Sequence, residues 1–355
     1  MDYHLKQPHL LSYNLTVERQ LPGRTVLTLT YAGSRSLNIV ATTDGNPTIP
    51  LGVGVDGVCV AAAGSVVADI HRPNRCWMGG DPRTNPNWAN MEFKTAGSSS
   101  WYNALQFSFA KQLSHGLQFQ SAYTWSKLID FSQGEATGDS TASSLFNSDP
   151  THREVDRAVA DFDITQSWRL NAIYELPRLF EGRMLNTVLG GWKTSGLLSL
   201  SDGTPFTVAV NSNRSRSGVN GGSSTGGIDR PDLLPGRNRS NIVLGGPNQY
   251  YDPAAFSLQP AGFLGNTGRN SLRGPGIATL DFSLIKELPV SRLGDSGSLQ
   301  FRAEFFNLLN RANFSSPNRT VFSGTNGSVP LVNAGRITGT ATTSRQIQLA
   351  LRLMF

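Results

Sequence analysis

Apolar and polar positions alternate along the last stretch of the chain, residues 344–355. The apolar positions are Ile347, Leu349, Leu351, Leu353 and Phe355, and between them stand Gln346, Gln348, Ala350, Arg352 and Met354. Because successive side chains of a strand point to opposite faces, this strand has one apolar face and one face that carries polar groups. A soluble sheet can end on a similar strand. An apolar face of about ten residues that closes on an aromatic is typical of a transmembrane β-barrel.

The same alternation predicts eight earlier strands, at about residues 13–20, 25–34, 103–110, 117–125, 166–175, 192–201, 277–286 and 299–308. In each of them one face is mainly apolar and the other mainly polar, as a wall between lipid and a wet interior requires. The predicted lipid-facing residues include Tyr13, Leu15, Val17, Leu27, Leu29, Tyr31, Leu105, Phe107, Phe109, Tyr123, Trp125, Trp168, Leu170, Leu198, Leu200, Leu280, Phe282, Leu284, Phe301 and Phe305. The predicted fold is therefore all-β, an antiparallel up-and-down transmembrane barrel.

The connections between these strands alternate between short and long. Long loops are predicted at residues 35–101, 128–165, 202–276 and 310–343, and all of them fall on one side of the sheet. Bacterial outer-membrane barrels have short periplasmic turns and long external loops, which places Phe355 on the periplasmic side. Single-chain bacterial barrels use even strand numbers, so nine strands predict that residues 1–355 are the C-terminal part of a larger barrel. No signal peptide is visible at the start of the sequence, which agrees with that expectation.

Both cysteines of the sequence, Cys59 and Cys76, lie in the first long loop. Two cysteines in one loop of a chain that otherwise avoids cysteine predict a disulfide formed in an oxidising compartment. The alternative is a pair of free thiols. A metal site is disfavoured because there is no CxxC spacing and no nearby pair of histidines.

Composition narrows the class of protein further. Hydrophobic residues make up 38% of the chain and charged residues 16%, both below what a soluble domain of this size usually has. No apolar run is long enough for a transmembrane helix. The net charge of +6 comes from scattered lysines and arginines without a basic run, so we do not expect nucleic-acid binding.

Two segments resemble chemical sites but are better explained as loops. In residues 149–163 a metal or acid–base site could be drawn from His152, Glu154, Asp156, Asp161 and Asp163. The simpler interpretation is a solvated loop face on which Arg153, Arg157 and neighbouring carboxylates neutralise one another. Residues 265–276 are glycine-rich but lack the GxxxxGK[ST] pattern of a nucleotide site, so we predict no cofactor and no catalytic residues.

Aromatic residues cluster near the ends of the third and fourth predicted strands, away from their shared turn. They are Trp101, Tyr102, Tyr123 and Trp125. Amphipathic rings favour the level of the lipid headgroups, so the cluster predicts a membrane-interface girdle. A cross-strand aromatic cluster in a soluble sheet is the alternative.

Several short motifs, taken in order, carry a resemblance to a known family. They are YAGSR at 31–35, YTWSK at 123–127, DFD at 161–163, GW at 191–192, GTPF at 203–206, DPAAF at 252–256, GRN at 268–270, FRAEFFNLLN at 301–310 and NF at 313–314. Together they resemble the Oar-like branch of TonB-dependent outer-membrane receptors, from about residue 8 to residue 355. The resemblance implies a barrel of about 22 strands, an N-terminal plug, a TonB box and often a carboxypeptidase-regulatory-like domain in front. The plug, the TonB box and the front domain are not seen in this sequence.

The sequence thus predicts a non-enzymatic barrel portion of an outer-membrane receptor or transporter for a bulky ligand, such as a carbohydrate or a peptide. Its expected partners are outer-membrane lipid and the barrel-assembly machinery, for which the resemblance makes the terminal Phe355 an insertion signal. The TonB system would act only through N-terminal parts. The alternatives are an autonomous outer-membrane adhesin or passive porin, and a secreted soluble carbohydrate-binding β-sandwich.

Overall fold

The computed structural model describes residues 2–62, 74–131, 147–149, 151–177, 188–219, 229–290, 297–324 and 328–355. Within them the fold is almost entirely β-structure. The strands are β1 (His9–Leu21), β2 (Thr25–Asp44), β3 (Gly52–Val55), β4 (Val58–Ala61), β5 (Arg75–Cys76), β6 (Glu92–Ser114), β7 (Leu117–Asp130), β8 (Ala158–Val159), β9 (Gln166–Glu175), β10 (Trp192–Ser201), β11 (Pro205–Phe206), β12 (Ala209–Val210), β13 (Asp232–Leu233), β14 (Phe256–Ser257), β15 (Leu272–Arg273), β16 (Ile277–Pro289), β17 (Ser298–Phe306), β18 (Thr320–Phe322) and β19 (Gln346–Met354). Short helical turns occur at Arg153–Asp156, Arg239–Ile242 and Pro253–Ala255.

One large antiparallel sheet contains the nine long strands in the order β1-β2-β6-β7-β9-β10-β16-β17-β19. Each long strand is hydrogen-bonded to the long strands that precede and follow it along the chain, and the short strand β8 pairs with β7. The prediction of nine strands in an up-and-down sheet is confirmed. The bounds of β9 and β10 are those predicted from the alternation.

The register of the sheet places side chains of similar polarity side by side, in rows that run across the strands. One row is apolar throughout and runs through Val17, Leu29, Phe107, Tyr123, Trp168 and Leu200. The next row is polar throughout and runs through Thr16, Thr30, Gln106, Thr124, Ser167 and Ser201. Because neighbouring rows lie on opposite sides, the sheet has an apolar face and a polar face. Large apolar side chains of the first face are solvent-exposed, among them Leu15 (68%) and Leu351 (70%).

Short turns lie at one end of the sheet, called here the turn end. Between β6 and β7 only His115 and Gly116 intervene, with φ of 51° and 76°. Positive φ at both central residues is the two-residue turn that matches the twist of a hairpin. The turns predicted around residues 177–191 and 288–298 lie largely outside the described residues.

The predicted loop at residues 35–101 is wrong at both ends. β2 continues to Asp44 and β6 begins at Glu92, and these extensions pair as far as Asp44 with Glu92, with irregularities near Ile39. The extension was missed because its residues do not alternate between apolar and polar. Ala41 to Asp44 are buried, so polar side chains there are covered by protein, and the contrast between lipid and water that produces the alternation is absent.

The two outermost strands of the sheet, β1 and β19, each pair on one side only within the part of the chain that the structure describes. Nearly every residue of both strands is exposed on both faces. Each outer edge therefore presents a row of backbone N–H and C=O groups without a strand partner, which is the arrangement that pairs most readily with a further strand.

Candidate functional site

The four long connections 45–91, 131–165, 202–276 and 307–345 lie together at the end opposite the turns, and their described parts are called here the loop layer. The layer has a hydrophobic core of its own, contrary to the expectation of irregular polar loops. Its members are Phe206, Val208, Val210, Ile242, Tyr250, Tyr251, Ala255, Phe256, Leu272, Val321, Phe322 and Ile337. The loop layer is thus a packed structure that gains stability from apolar burial.

Short strand pairs within the loop layer hold its segments in register. β11 pairs with β15 and β13 with β14, both within the third connection, while β12 pairs with β18 of the fourth connection. Tyr251 lies at the centre, where its hydroxyl donates to the carbonyl oxygen of Asn318 at 2.9 Å. Burial raises the pKa of the Tyr251 phenol far above its usual value, so this hydroxyl stays protonated and remains a donor.

Buried carboxylates form ion pairs with arginines from distant parts of the layer. Asp163 is bonded to Arg273 at 2.6 Å, and both side chains are nearly inaccessible. Asp156 is bonded to Arg230 at 3.0 Å, again with both partners buried. Removing one partner of such a pair leaves an uncompensated buried charge, so these bonds fix how the connections fit together.

The expected solvated face at residues 149–163 is therefore wrong for Asp149, Asp156 and Asp163, which are buried, while Glu154 and Asp161 are exposed. Asp149 pairs with Arg75 of the first connection, and Asp161 lies 3.3 Å from Arg269 of the third. Arg153 and Arg157, the neighbours expected to neutralise them, make no ion pair among the described residues. Instead the Arg157 guanidinium stands 5.2 Å from the centre of the Trp101 ring, and burial lowers the pKa of Arg153.

The residues from which a metal or acid–base site could be drawn do not converge on one point. His152 Nδ1 lies 3.7 Å from Asp149, Glu154 is exposed, and the three aspartates are bonded to different arginines. Across the described residues no group of three or more His, Cys, Asp or Glu side chains could hold a metal ion. The arginines that pair with these aspartates had no signal in the local sequence.

The glycine-rich segment at 265–276 connects the loop layer to the main sheet. Arg273 donates to the carbonyl oxygens of Asp163 and Gly203 at 2.8 and 3.0 Å. Arg269 donates to Asp130 at the end of β7, and Asn270 donates to the carbonyl oxygen of Val159 at 2.7 Å. Both arginines of the segment therefore donate to protein groups, as in a loop that is held in place by its arginines.

The structure joins Cys59 and Cys76 by a disulfide in the small sheet β4-β3-β5, with Cα atoms 5.8 Å apart. A Cβ atom on Gly52 of β3 would stand only 2.3 Å from the Cys59 sulfur, so glycine is required beside the bond. Cys76 and the following Trp77 are buried. Trp77 N donates to the carbonyl oxygen of Gly262 at 2.9 Å, which attaches this sheet to the third connection.

A groove of about 370 Å³ lies on the main sheet where β9, β10, β16 and β17 run side by side. Most of its lining residues belong to the polar face, among them Asn171, Ser195, Asp281, Ser283 and Glu304. The Ser195 and Ser283 hydroxyls are 2.7 Å apart, and Asp281 accepts from the backbone N–H of Asn307 at 2.8 Å. Hydroxyl and carboxylate groups of this kind suit a ligand rich in hydroxyl or amine groups.

The remaining predicted positions are the terminal residue and the aromatic residues of β6 and β7. Phe355 follows β19 and is 89% exposed. Of the predicted girdle, Tyr123 and Trp125 are exposed on the apolar face, in register with Phe107 and Leu105. Tyr102 is not part of it, because it lies next to Trp101 in β6 and so belongs to the polar face.

An antiparallel sheet with an apolar face exposed to the surroundings, a polar face and a folded loop layer at one end defines the wall of a membrane β-barrel. The family described as outer membrane beta barrel domain matches residues 1–348. The chain belongs to this family, and its place is the cell outer membrane. Proteins of this kind are typically not enzymes.

Comparison with curated proteins gives no significant match. Among solved structures, the outer membrane transporter YddB from Escherichia coli is similar to 98% of this chain, with 9% sequence identity and a TM-score of 0.44. The chain spans 33% of the length of that transporter. No helix in the described parts of the chain is long and apolar enough to cross a membrane.

Proposed function

We propose that the chain forms part of the barrel wall and the external loop layer of an outer-membrane receptor or transporter for a bulky ligand, of the TonB-dependent, Oar-like kind. The observation that carries the proposal is the folded loop layer at one end of a sheet with one polar face. Such a layer presents a preorganised surface, and the groove on the polar face offers hydroxyl and carboxylate groups to a carbohydrate or peptide that enters the barrel. The ordered motifs at 31–35, 123–127 and 301–310 support the finer assignment.

The open edges of the sheet support a larger barrel. In lipid each backbone group without a hydrogen-bond partner costs several kcal/mol, so β1 and β19 must both be paired there. Further strands, about 22 in all by the resemblance, would provide these partners. A plug and TonB box N-terminal to the barrel would couple it to the TonB system, and the barrel-assembly machinery would recognise the end of β19.

The orientation of the barrel can be tested with two single cysteines in a protein that retains its disulfide. Val332, in the fourth connection, and Pro22, between β1 and β2, are both exposed. In intact cells a membrane-impermeant maleimide should label Val332→Cys and should label Pro22→Cys only after the outer membrane is disrupted. Labelling of Pro22→Cys alone in intact cells would reverse the orientation and contradict the proposal.

The larger barrel is tested by expression of residues 1–355 with an added signal peptide. This chain should not give a monodisperse, heat-modifiable monomer, because its two edges seek partners. Further barrel strands and a plug supplied in front of it should restore folding. A compact, protease-resistant monomer from residues 1–355 would instead favour an autonomous adhesin or passive porin, for which the loop layer is the binding surface. The soluble sandwich is excluded, because the family places the chain in the outer membrane.

A further inference from the structure

Trp101 on the apolar face is flanked by two guanidinium groups. The Arg35 guanidinium carbon lies 5.7 Å from the centre of the Trp101 ring, and that of Arg157 lies 5.2 Å from it. Phe131 contacts the same indole edge-on at 5.6 Å. Each guanidinium group is attracted to the ring by a cation–π interaction, so two like charges are held close to one indole.

Among the residues that the structure describes, no carboxylate forms an ion pair with the positive charges around Trp101. Arg35 and Arg157 are exposed, and so is Lys127, which lies on the same face in β7. No ion pair within the described parts of the chain involves any of these three residues. This contrasts with Arg230 and Arg273, which are committed to buried aspartates. Within the described residues, Arg35 and Arg157 at the ring and Lys127, which lies opposite Asn103 on the same face, are therefore available to an external anion.

The height of this cluster along the sheet indicates which part of a lipid it meets. β9 has ten residues, the length of one membrane crossing, and begins at Gln166 in the row of Trp125 and Leu105. Trp101 stands four residues farther along β6, which is about 13 Å along the strand and roughly 9 Å along the membrane normal at the usual tilt. This distance reaches the polar headgroups, while Leu105 and Trp125 stay at the acyl chains.

We propose that Arg35, Trp101, Lys127 and Arg157 bind the phosphate headgroup of an outer-leaflet lipid, whose acyl chains pack on the exposed apolar rows below. The guanidinium groups donate to phosphate oxygens in the fork geometry that suits them. Trp101 keeps the two arginines in position, and Lys127 adds a point charge. The site rests on the proposed function for its orientation, since only the outer leaflet meets the loop end.

The test uses native mass spectrometry of the full protein purified from outer membranes in detergent. The probes are diphosphorylated lipid A and the same lipid without its phosphates. The variant Arg35→Gln/Arg157→Gln removes both guanidinium groups. Its matched control, Arg169→Gln/Arg352→Gln, makes the same change in charge with two exposed arginines of the polar face.

The wild-type protein and the control should prefer the phosphorylated lipid. The Arg35/Arg157 variant should bind the phosphorylated lipid about tenfold more weakly, because it loses at least one charge-assisted hydrogen bond to phosphate. Its affinity for the dephosphorylated lipid should equal that of the wild type. Equal binding of both lipids by the wild type, an equal loss in both double variants, or displacement of lipid by inorganic phosphate at the same concentration would overturn the proposal.

Heat-modifiable migration is recorded on the same samples. A wild-type protein that does not show it contradicts the barrel assignment. Normal migration together with equal binding of both lipids contradicts only the lipid site. Trp101→Leu, which keeps the apolar contact but removes the ring, should weaken binding by a smaller factor than the double substitution.

Discussion

The two faces of the sheet predict opposite responses to one introduced charge at neighbouring positions. Phe107 belongs to the apolar row that crosses six strands and is 42% exposed. Gln106, the preceding residue, points to the polar face. We expect Phe107→Arg to impair assembly in the membrane and Gln106→Arg to be tolerated, because only the first places a cation against lipid.

The magnitude follows from the depth of the row. Phe107 is in register with Tyr123, which pairs with Trp168, the third of the ten residues of β9. This row lies about 8 Å along the strand from its centre, or roughly 6 Å from the midplane at the usual tilt. An arginine on the lipid face costs ~2–4 kcal/mol at the midplane and less towards the interfaces. We therefore expect about 2–3 kcal/mol, which is roughly 30- to 150-fold in the folding equilibrium.

The assay compares the fraction of each variant that migrates as heat-modifiable barrel after extraction from the outer membrane, in protein with all of its barrel strands. Phe107→Lys should resemble Phe107→Arg, whereas Phe107→Leu should assemble normally, which separates charge from loss of the ring. Equal assembly of Phe107→Arg and Gln106→Arg would refute the assignment of the apolar face to lipid.

Three further predictions concern the loop layer and the end of the chain. In exported protein Cys59 and Cys76 should be bonded, so mass spectrometry without reduction should find no free thiol, and two free thiols would contradict the prediction. Arg273→Met should destabilise the loop layer by about 3–5 kcal/mol because it leaves a buried carboxylate unpaired. Lys193→Met removes an exposed ion pair and should cost less than about 1 kcal/mol. Limited proteolysis in urea compares the two variants, and loss of resistance to the protease at the same urea concentration in both would contradict the prediction. Deletion of Phe355 should lower the yield of assembled barrel in pulse–chase experiments, and an unchanged yield would remove its role as an insertion signal.

The strands of the sheet could be predicted because each is long enough to show its alternation. β9 and β10 have ten residues each, and every second side chain meets a different medium. The loop-layer core could not be found in this way. Phe206 and Leu272 lie on two-residue strands that pair across the third connection, and two residues carry no periodicity.

The ion pairs of the loop layer were hidden for a different reason. Asp163 and Arg273 are 110 residues apart in the sequence, so a local reading of charge assigned the carboxylate to its neighbours Arg153 and Arg157. Burial and partner choice are decided by tertiary packing, which no single stretch of sequence encodes. The disulfide was easier to predict, since a chain with only two cysteines offers a single pairing.

In the proposed orientation, with the loop layer outside the cell, the interlocked loop layer also determines how antibodies or phages would recognise this protein. Residues from different connections stand side by side, as where Arg216 donates to the carbonyl oxygen of Met78 at 2.6 Å. A surface assembled in this way presents discontinuous epitopes. Sera raised against linear peptides of the loops should therefore bind the denatured protein far better than intact cells. Sera raised against the folded protein should show the reverse preference.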